Sequence, residues 1–207
     1  MYTPIRLAAA GVALAGTLMI GPAAVAAPTV QLVTGETTVR LSSELLDALG
    51  SLGVTPDNVL PGGLHPTETG ASLVFPIPTG ELDGAGPVLE IFHSGGLTLT
   101  AGETRVALTS FIIENLGGVL QLTGVVKAND TIVGRVPLFD IELTRAPEVT
   151  GDPASGVGIL RIRGANLTLT EVAADALNGA FGLDGVFTAG FPIGTARIYA
   201  RIRDRDG

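Results

Sequence analysis

From Pro87 to Leu143 apolar and polar residues alternate at every second position, broken at short intervals by turn residues. No other feature limits the fold so strongly. Successive side chains on a strand point to opposite faces, so sustained period-two alternation describes an antiparallel sheet with one dry and one wet face. In "VLEIFH", Leu89, Ile91 and His93 share one face and Val88, Glu90 and Phe92 the other. The following "SGG" tolerates positive φ and predicts a tight hairpin reversal. "LTLT" then places Leu97 and Leu99 inward and Thr98 and Thr100 outward. "TRVALTSFII", "VLQLTGVV", "TIVGRV" and "LFDIEL" continue the series, the last with Phe139, Ile141 and Leu143 opposite Asp140 and Glu142. Beyond a Pro/Gly loop at 146–156 come "VGILRIR" and "ARIYARIR", where Ile198, Ala200 and Ile202 face in and Arg197, Arg201 and Arg203 face out.

Two segments break the rhythm. "LSSELLDALGSLGV" (41–54) predicts a helix capped by Ser42 and stopped at Gly50 or Gly53. "LTEVAADALNGAFGL" (169–183) predicts a second, capped by Thr170 and stopped at Asn178-Gly179. Each precedes an aromatic-proline step, Phe75-Pro76-Ile77 and Phe191-Pro192-Ile193. Internal duplication and convergent capping chemistry both account for that likeness. The expected fold is mainly β, an antiparallel β-sandwich or flattened barrel with two short helices near the chain ends.

The N-terminus predicts export. Arg6 precedes an apolar run from Leu7 to Ile20, and Ala24-Val25-Ala26 fits the small-residue cleavage pattern. The alternative, a membrane anchor, needs about 20 apolar residues, more than this run supplies. Residues 1–26 are therefore expected to be a signal peptide and 27–207 a single secreted domain with no membrane span, of a size that buries a substantial core. The net charge of −8 repels phosphate backbones and makes nucleic acid a poor partner. With no cysteine, the chain has neither a disulfide staple nor a thiolate ligand.

The C-terminal run "LTLTEVAADALNGAFGLDGVFTAGFPIGTA" resembles the end of the HtaA-type domain of exported actinobacterial haem-binding proteins. "IFHSGGLTLTAGETRVAL" resembles that family's histidine-bearing core, "VLQLTGVV" and "VPLFDIEL" its next two strands, and "FPIPTGELDG" stands where the family has an aromatic-proline step. The resemblance spans about residues 35–200 and rests on short, mostly structural motifs. It implies haem as cofactor, held by a tyrosine near the domain start with help from a core histidine. "VRLSSELL" aligns Val39, Arg40 and Ser42 with the family's starting motif but puts Leu46 in the tyrosine's place. The only tyrosines are Tyr2, in the leader, and Tyr199, in the last strand.

His93 matches the core histidine, which makes it the candidate ligand of haem iron, with Ser42 and Phe92 as further ligand-binding candidates. A neutral imidazole suits iron, and Leu89, Ile91 and Phe92 could build the apolar surround. The alternative is that His93 ends a strand and hydrogen-bonds across the hairpin. His65, in "GGLHPTET", reads as a loop histidine.

Catalytic signatures are absent: there is no G-x-S-x-G elbow, H-E-x-x-H or P-loop. Asp140 and Glu142 share a strand face where solvated charges belong, rather than forming a glycosidase pair. Asp204 and Asp206 resemble the start of a calcium loop without its further ligands. Asn129 and Asn166 sit in sequon-like triplets. An enzyme is not expected. Two functions remain: an exported module for haem or another small apolar ligand, or an exported domain that keeps the fold, has lost the ligand site and meets a protein partner at the cell surface.

Overall fold

The computed structural model describes residues 29–83, 88–116, 118–156 and 158–204. The expected leader, Tyr2 and Asp206 lie outside the described residues, as does the side chain of Leu89.

The chain runs β1 (Thr29–Leu41), α1 (Ser43–Ser51), β2 (Thr55–Val59), β3 (Gly63–Thr67), β4 (Gly70–Ile77), β5 (Thr79–Asp83), β6 (Val88–Phe92) and β7 (Gly96–Ala101). It continues through β8 (Thr104–Leu116), β9 (Val119–Ala128), β10 (Thr131–Leu143), β11 (Glu148–Thr150), β12 (Gly158–Leu169), α2 (Glu171–Phe181) and β13 (Pro192–Asp204). Eight strands close on themselves in the order β1, β13, β12, β10, β9, β8, β6, β5 and back to β1, every pair antiparallel. Of sandwich and barrel, the chain forms the barrel. Closure removes the sheet edges that an open sandwich would leave unpaired.

Two long strands each serve two neighbours along their length. β1 pairs with β5 through Thr29 to Leu32 and with β4 through Gly35 to Arg40. β8 pairs with β6 through Ile112 to Glu114 and with β7 through Thr104 to Thr109. β3 adds to β4 and β2 to β7, so the end of the barrel that carries α1 is flanked by two extra hairpin arms.

This arrangement corrects the expected reversal at "SGG". β6 and β7 do not pair with each other; both run antiparallel to β8, end to end. The stretch from Val88 to Ala101 is one line of strand with a jog at His93 to Gly95. Across the jog, β8 carries a bulge between Thr109 and Ile112, with Ser110 at φ 52°. Gly95, at φ 89°, makes the jog feasible, because a Cβ there would run into the Gly62 backbone. A glycine pair that tolerates positive φ serves a jog as well as a turn, and the local sequence does not separate the two.

Other expectations held. "TIVGRV" and "LFDIEL" are strand, fused into β10 with a register shift at Pro137. Ile198, Ala200 and Ile202 are buried on β13, while Arg197, Arg201 and Arg203 are exposed. Thr98 departs from expectation: although on the face away from Leu97 and Leu99, it is only 3% exposed, and its hydroxyl donates to the Asp57 carbonyl of β2 at 3.3 Å.

Both helices are fixed by the same device. Ser42 Oγ accepts from the Leu45 N–H at 3.0 Å and donates to the Pro192 carbonyl at 2.7 Å. Thr170 Oγ1 accepts from the Ala173 N–H at 3.1 Å and donates to the Pro137 carbonyl at 2.8 Å. Each cap thus satisfies an orphan N–H and ties its helix to a neighbouring strand. α2 continues past the expected stop at Asn178-Gly179 and ends at Gly182, which takes the left-handed cap conformation. Asn178 does not break the helix because its amide is committed elsewhere, donating to the Phe187 carbonyl and accepting the Phe187 N–H.

Candidate functional site

Alternation on every barrel strand sends one set of side chains inward. Leu32, Ile91, Leu160, Leu169 and Ile202 are fully buried on these strands. Packing is incomplete at the helix-bearing end, where the barrel encloses a cavity of about 320 Å³. That volume falls at the small end of the range for ligand sites.

The wall is apolar almost throughout. Phe75 and Phe111 meet edge to face with centroids 5.2 Å apart. The β8 bulge turns Phe111 into the barrel, and Gly124 on β9 leaves room for it: a Cβ at Gly124 would stand 2.9 Å from the Phe111 ring and 2.7 Å from Leu138. Val126, Phe139 and Ile141 contribute from β9 and β10, and Leu45 and Leu49 from α1. α2 lays Leu177 and the small residues Ala173, Ala176 and Ala180 across the cavity at helical spacing. Ala176, Gly179 and Val133 line the cavity and are also exposed, so it meets solvent between α2 and the β9–β10 hairpin.

Two polar side chains interrupt this wall, Thr37 and His93. His93 sits at the jog beyond β6, its backbone N–H donating to the Phe111 carbonyl at 2.9 Å. Its side chain is 6% exposed and that of Thr37 2%. Thr37 Oγ1 and His93 Nε2 lie 2.7 Å apart, joined by a hydrogen bond. His93 Nδ1 is buried and has no hydrogen-bond partner. Burial pushes the imidazole pKa down to about 4, against the opposing effect of the Phe111 and Ile91 backbone carbonyls beside the ring. At neutral pH the ring is uncharged.

The other candidates lie elsewhere. Ser42 is occupied as the α1 cap and tether, and Phe92 is half-buried; neither lines the cavity. Leu46 is also absent from the lining: it packs toward the β3–β4 hairpin, within 2.8 Å of where a Cβ on Gly70 would stand. The structure therefore does not bring the position of the family's tyrosine onto the cavity that holds His93. Tyr199 is 45% exposed on β13, its ring stacked under the Arg161 guanidinium at 5.4 Å. His65 is exposed on β3. Asp140 accepts a hydrogen bond from Gln121 at 2.7 Å, a cross-strand contact between β9 and β10. Among the described residues, no group of three or more His, Asp or Glu side chains could hold a metal ion. No helix among them is long and apolar enough to cross a membrane.

The sequence does not mark Thr37, Phe75, Phe111 or the small face of α2 as site residues. The alternation of Thr37, Val39 and Leu41 in "TTVRL" was available as a signal, but a threonine on the inward face disguises it.

No protein-family model matches the sequence, and neither does any curated protein. Solved structures do share the fold. The C-terminal domain of HtaA from Corynebacterium glutamicum matches with a TM-score of 0.61 at 13% identity, over 84% of this chain and 99% of that domain. The N-terminal domain of the same HtaA matches at 0.54 and 13% identity, over 82% and 97%. The heme binding protein HtaB of that organism gives 0.47 at 10% identity, over 86% and 95%, too loose a match to carry weight. This chain has the fold of the HtaA domains.

Proposed function

We propose that the chain is an exported, non-catalytic binding domain whose barrel interior holds a small apolar ligand. One observation carries this reading: the barrel holds an apolar cavity lined by a single buried imidazole and open to solvent beside α2. Export rests on the charge, apolar run and small residues of positions 1–26.

Haem is the candidate ligand implied by the sequence resemblance and compatible with the shared fold. Its fit here is partial. A neutral imidazole is an iron ligand of the kind that proximal histidines supply, and His93 lines the cavity. The family's phenolate is missing, with Leu46 in its place and directed toward Gly70. The cavity wall holds no cation to pair with a haem carboxylate. These residues support haem bound through His93 alone, weakly, and they support an iron-free apolar ligand better.

The lost phenolate also favours a second reading, an exported interaction domain that keeps the fold without a ligand. A haemin titration followed by absorbance separates the two. Binding through His93 gives a Soret shift without tyrosinate charge-transfer absorption, and His93→Ala abolishes it. No spectral change in the wild-type chain would remove haem. A tyrosinate-like spectrum would overturn the assignment of His93 as the ligand.

A further inference from the structure

We infer that the outward face of β12 and β13 docks on a bilayer rich in anionic lipid, its arginines meeting the phosphate headgroups. The inference goes beyond the ligand reading and is independent of what the cavity holds.

The net charge of −8 conceals a segregation. The outward positions of β12 and β13 carry Arg161, Arg163, Arg197, Arg201 and Arg203, five of the twelve basic residues, and no acid. Their neighbours Ile162, Ile198, Ala200 and Ile202 are buried, and alternation then turns the arginines outward. Arg163 and Arg197 are register partners. Like charges directly opposite one another on a sheet are destabilising, so this pair does nothing for the fold. Glu36 on β1 and Glu148 on β11 flank the face without neutralising it, and Glu148 reaches Arg163 only at 3.8 Å. Arg197 and Arg201 have neither an ion-pair nor a hydrogen-bond partner among the described residues. At physiological ionic strength charges are screened beyond about 8 Å, so acids elsewhere on the barrel do not cancel the field here.

The shape of the face selects the partner. From Arg197 to Arg203 along β13 the cluster runs roughly 20 Å, and it is two strands wide. None of the five arginines lines the barrel cavity; they stand on the convex side of its wall. A single polyanionic chain is held in a groove that follows its backbone, which a convex wall lacks. A stable protein partner needs an apolar centre. The aromatic ring here, Tyr199, has the Arg161 guanidinium over it at 5.4 Å. An anionic bilayer needs neither groove nor apolar centre. It presents phosphates across a plane, and guanidinium forks match phosphate geometry.

The test is vesicle co-sedimentation of the chain lacking residues 1–26, whose apolar run would itself bind lipid. Vesicles of equal parts phosphatidylglycerol and phosphatidylcholine should carry the chain down at about 0.1 M salt and release it near 1 M. Each arginine at an anionic surface is worth about a fivefold gain in binding, so Arg197→Glu with Arg201→Glu should weaken it at least twentyfold or so. The pair Arg197→Gln and Arg201→Gln serves as a second variant, with a smaller loss, should the first fold poorly. Arg201→Glu and Arg105→Glu change the net charge equally, and only the first should weaken binding. Arg105 is exposed on β8, which adjoins neither β12 nor β13. Equal weakening by Arg105→Glu, or equal binding to pure phosphatidylcholine, would overturn the inference. Failure to sediment with the anionic vesicles would also overturn it. Tight binding of inorganic polyphosphate or poly-L-glutamate in that case would assign the face to a soluble polyanion or an acidic protein.

Discussion

The Thr37 hydroxyl and the His93 imidazole meet at 2.7 Å inside the barrel, joining β1 to the jog between β6 and β7 across 56 positions of sequence. Both side chains are buried, so each depends on the other for a partner. Removing either one alone should cost more than removing both.

Thr37→Val leaves both ring nitrogens of His93 without partners and should destabilise the domain by about 1–3 kcal/mol. His93→Leu leaves the Thr37 hydroxyl unsatisfied and should cost less, because one orphaned atom, Nδ1, leaves with the ring. The double variant should recover most of the loss, since replacing both partners by apolar groups is close to neutral. Urea unfolding of the four proteins gives the coupling. Additive losses would mean that the pair is not bonded.

The imidazole also links stability to pH. Its pKa falls from an ordinary 6.5 to about 4 on folding, because burial disfavours the cation. The unfolded chain therefore binds the proton first as pH drops. The contribution is fully present above pH 6.5 and is lost between pH 6.5 and about 4, amounting to about 3 kcal/mol. Below that window this group adds no further loss. Carboxylates titrate at the lower end of the same window, so the comparison is with His93→Leu, whose stability should fall less between pH 6.5 and 4.5. Parallel curves for the two proteins would show that the ring is solvated.

Two glycines offer a contrast in packing. A side chain at Gly124 collides with Phe111 and Leu138, so Gly124→Val should cost about 1–3 kcal/mol through overpacking. Gly179 lies in α2 with open space around its Cβ position, and Gly179→Ala should stabilise by about 0.5–1 kcal/mol through helix propensity. Thermal denaturation distinguishes the signs. A silent Gly124→Val would mean that Phe111 does not point into the barrel.

Much of the architecture was legible because its causes are local. The alternation in β8, β9, β10 and β13 and the caps at Ser42 and Thr170 are properties of short segments. What escaped depends on distant partners. Whether "SGG" turns back or steps aside is decided by the bulge at Ser110 and the backbone of Gly62. Thr98 is buried because β2, read as neither strand nor neighbour, lies alongside it. The site was half legible: His93 stood out as a rare residue on an apolar face, whereas Thr37 resembles the polar threonines around it. The cavity itself is a deficit of side-chain volume summed over many strands, which no single stretch records.

The proposed ligand seat is the barrel interior beside His93. Its most direct test is methyl-detected NMR of the isotopically labelled chain during titration with 1-octanol. Shifts at the inward methyls of Leu138, Val126 and Leu108, with a change at the His93 ring and little at Leu46 or Val149, are the predicted result. Shifts confined to Leu46 and the β3–β4 hairpin, or no shifts at saturating alcohol, would contradict it.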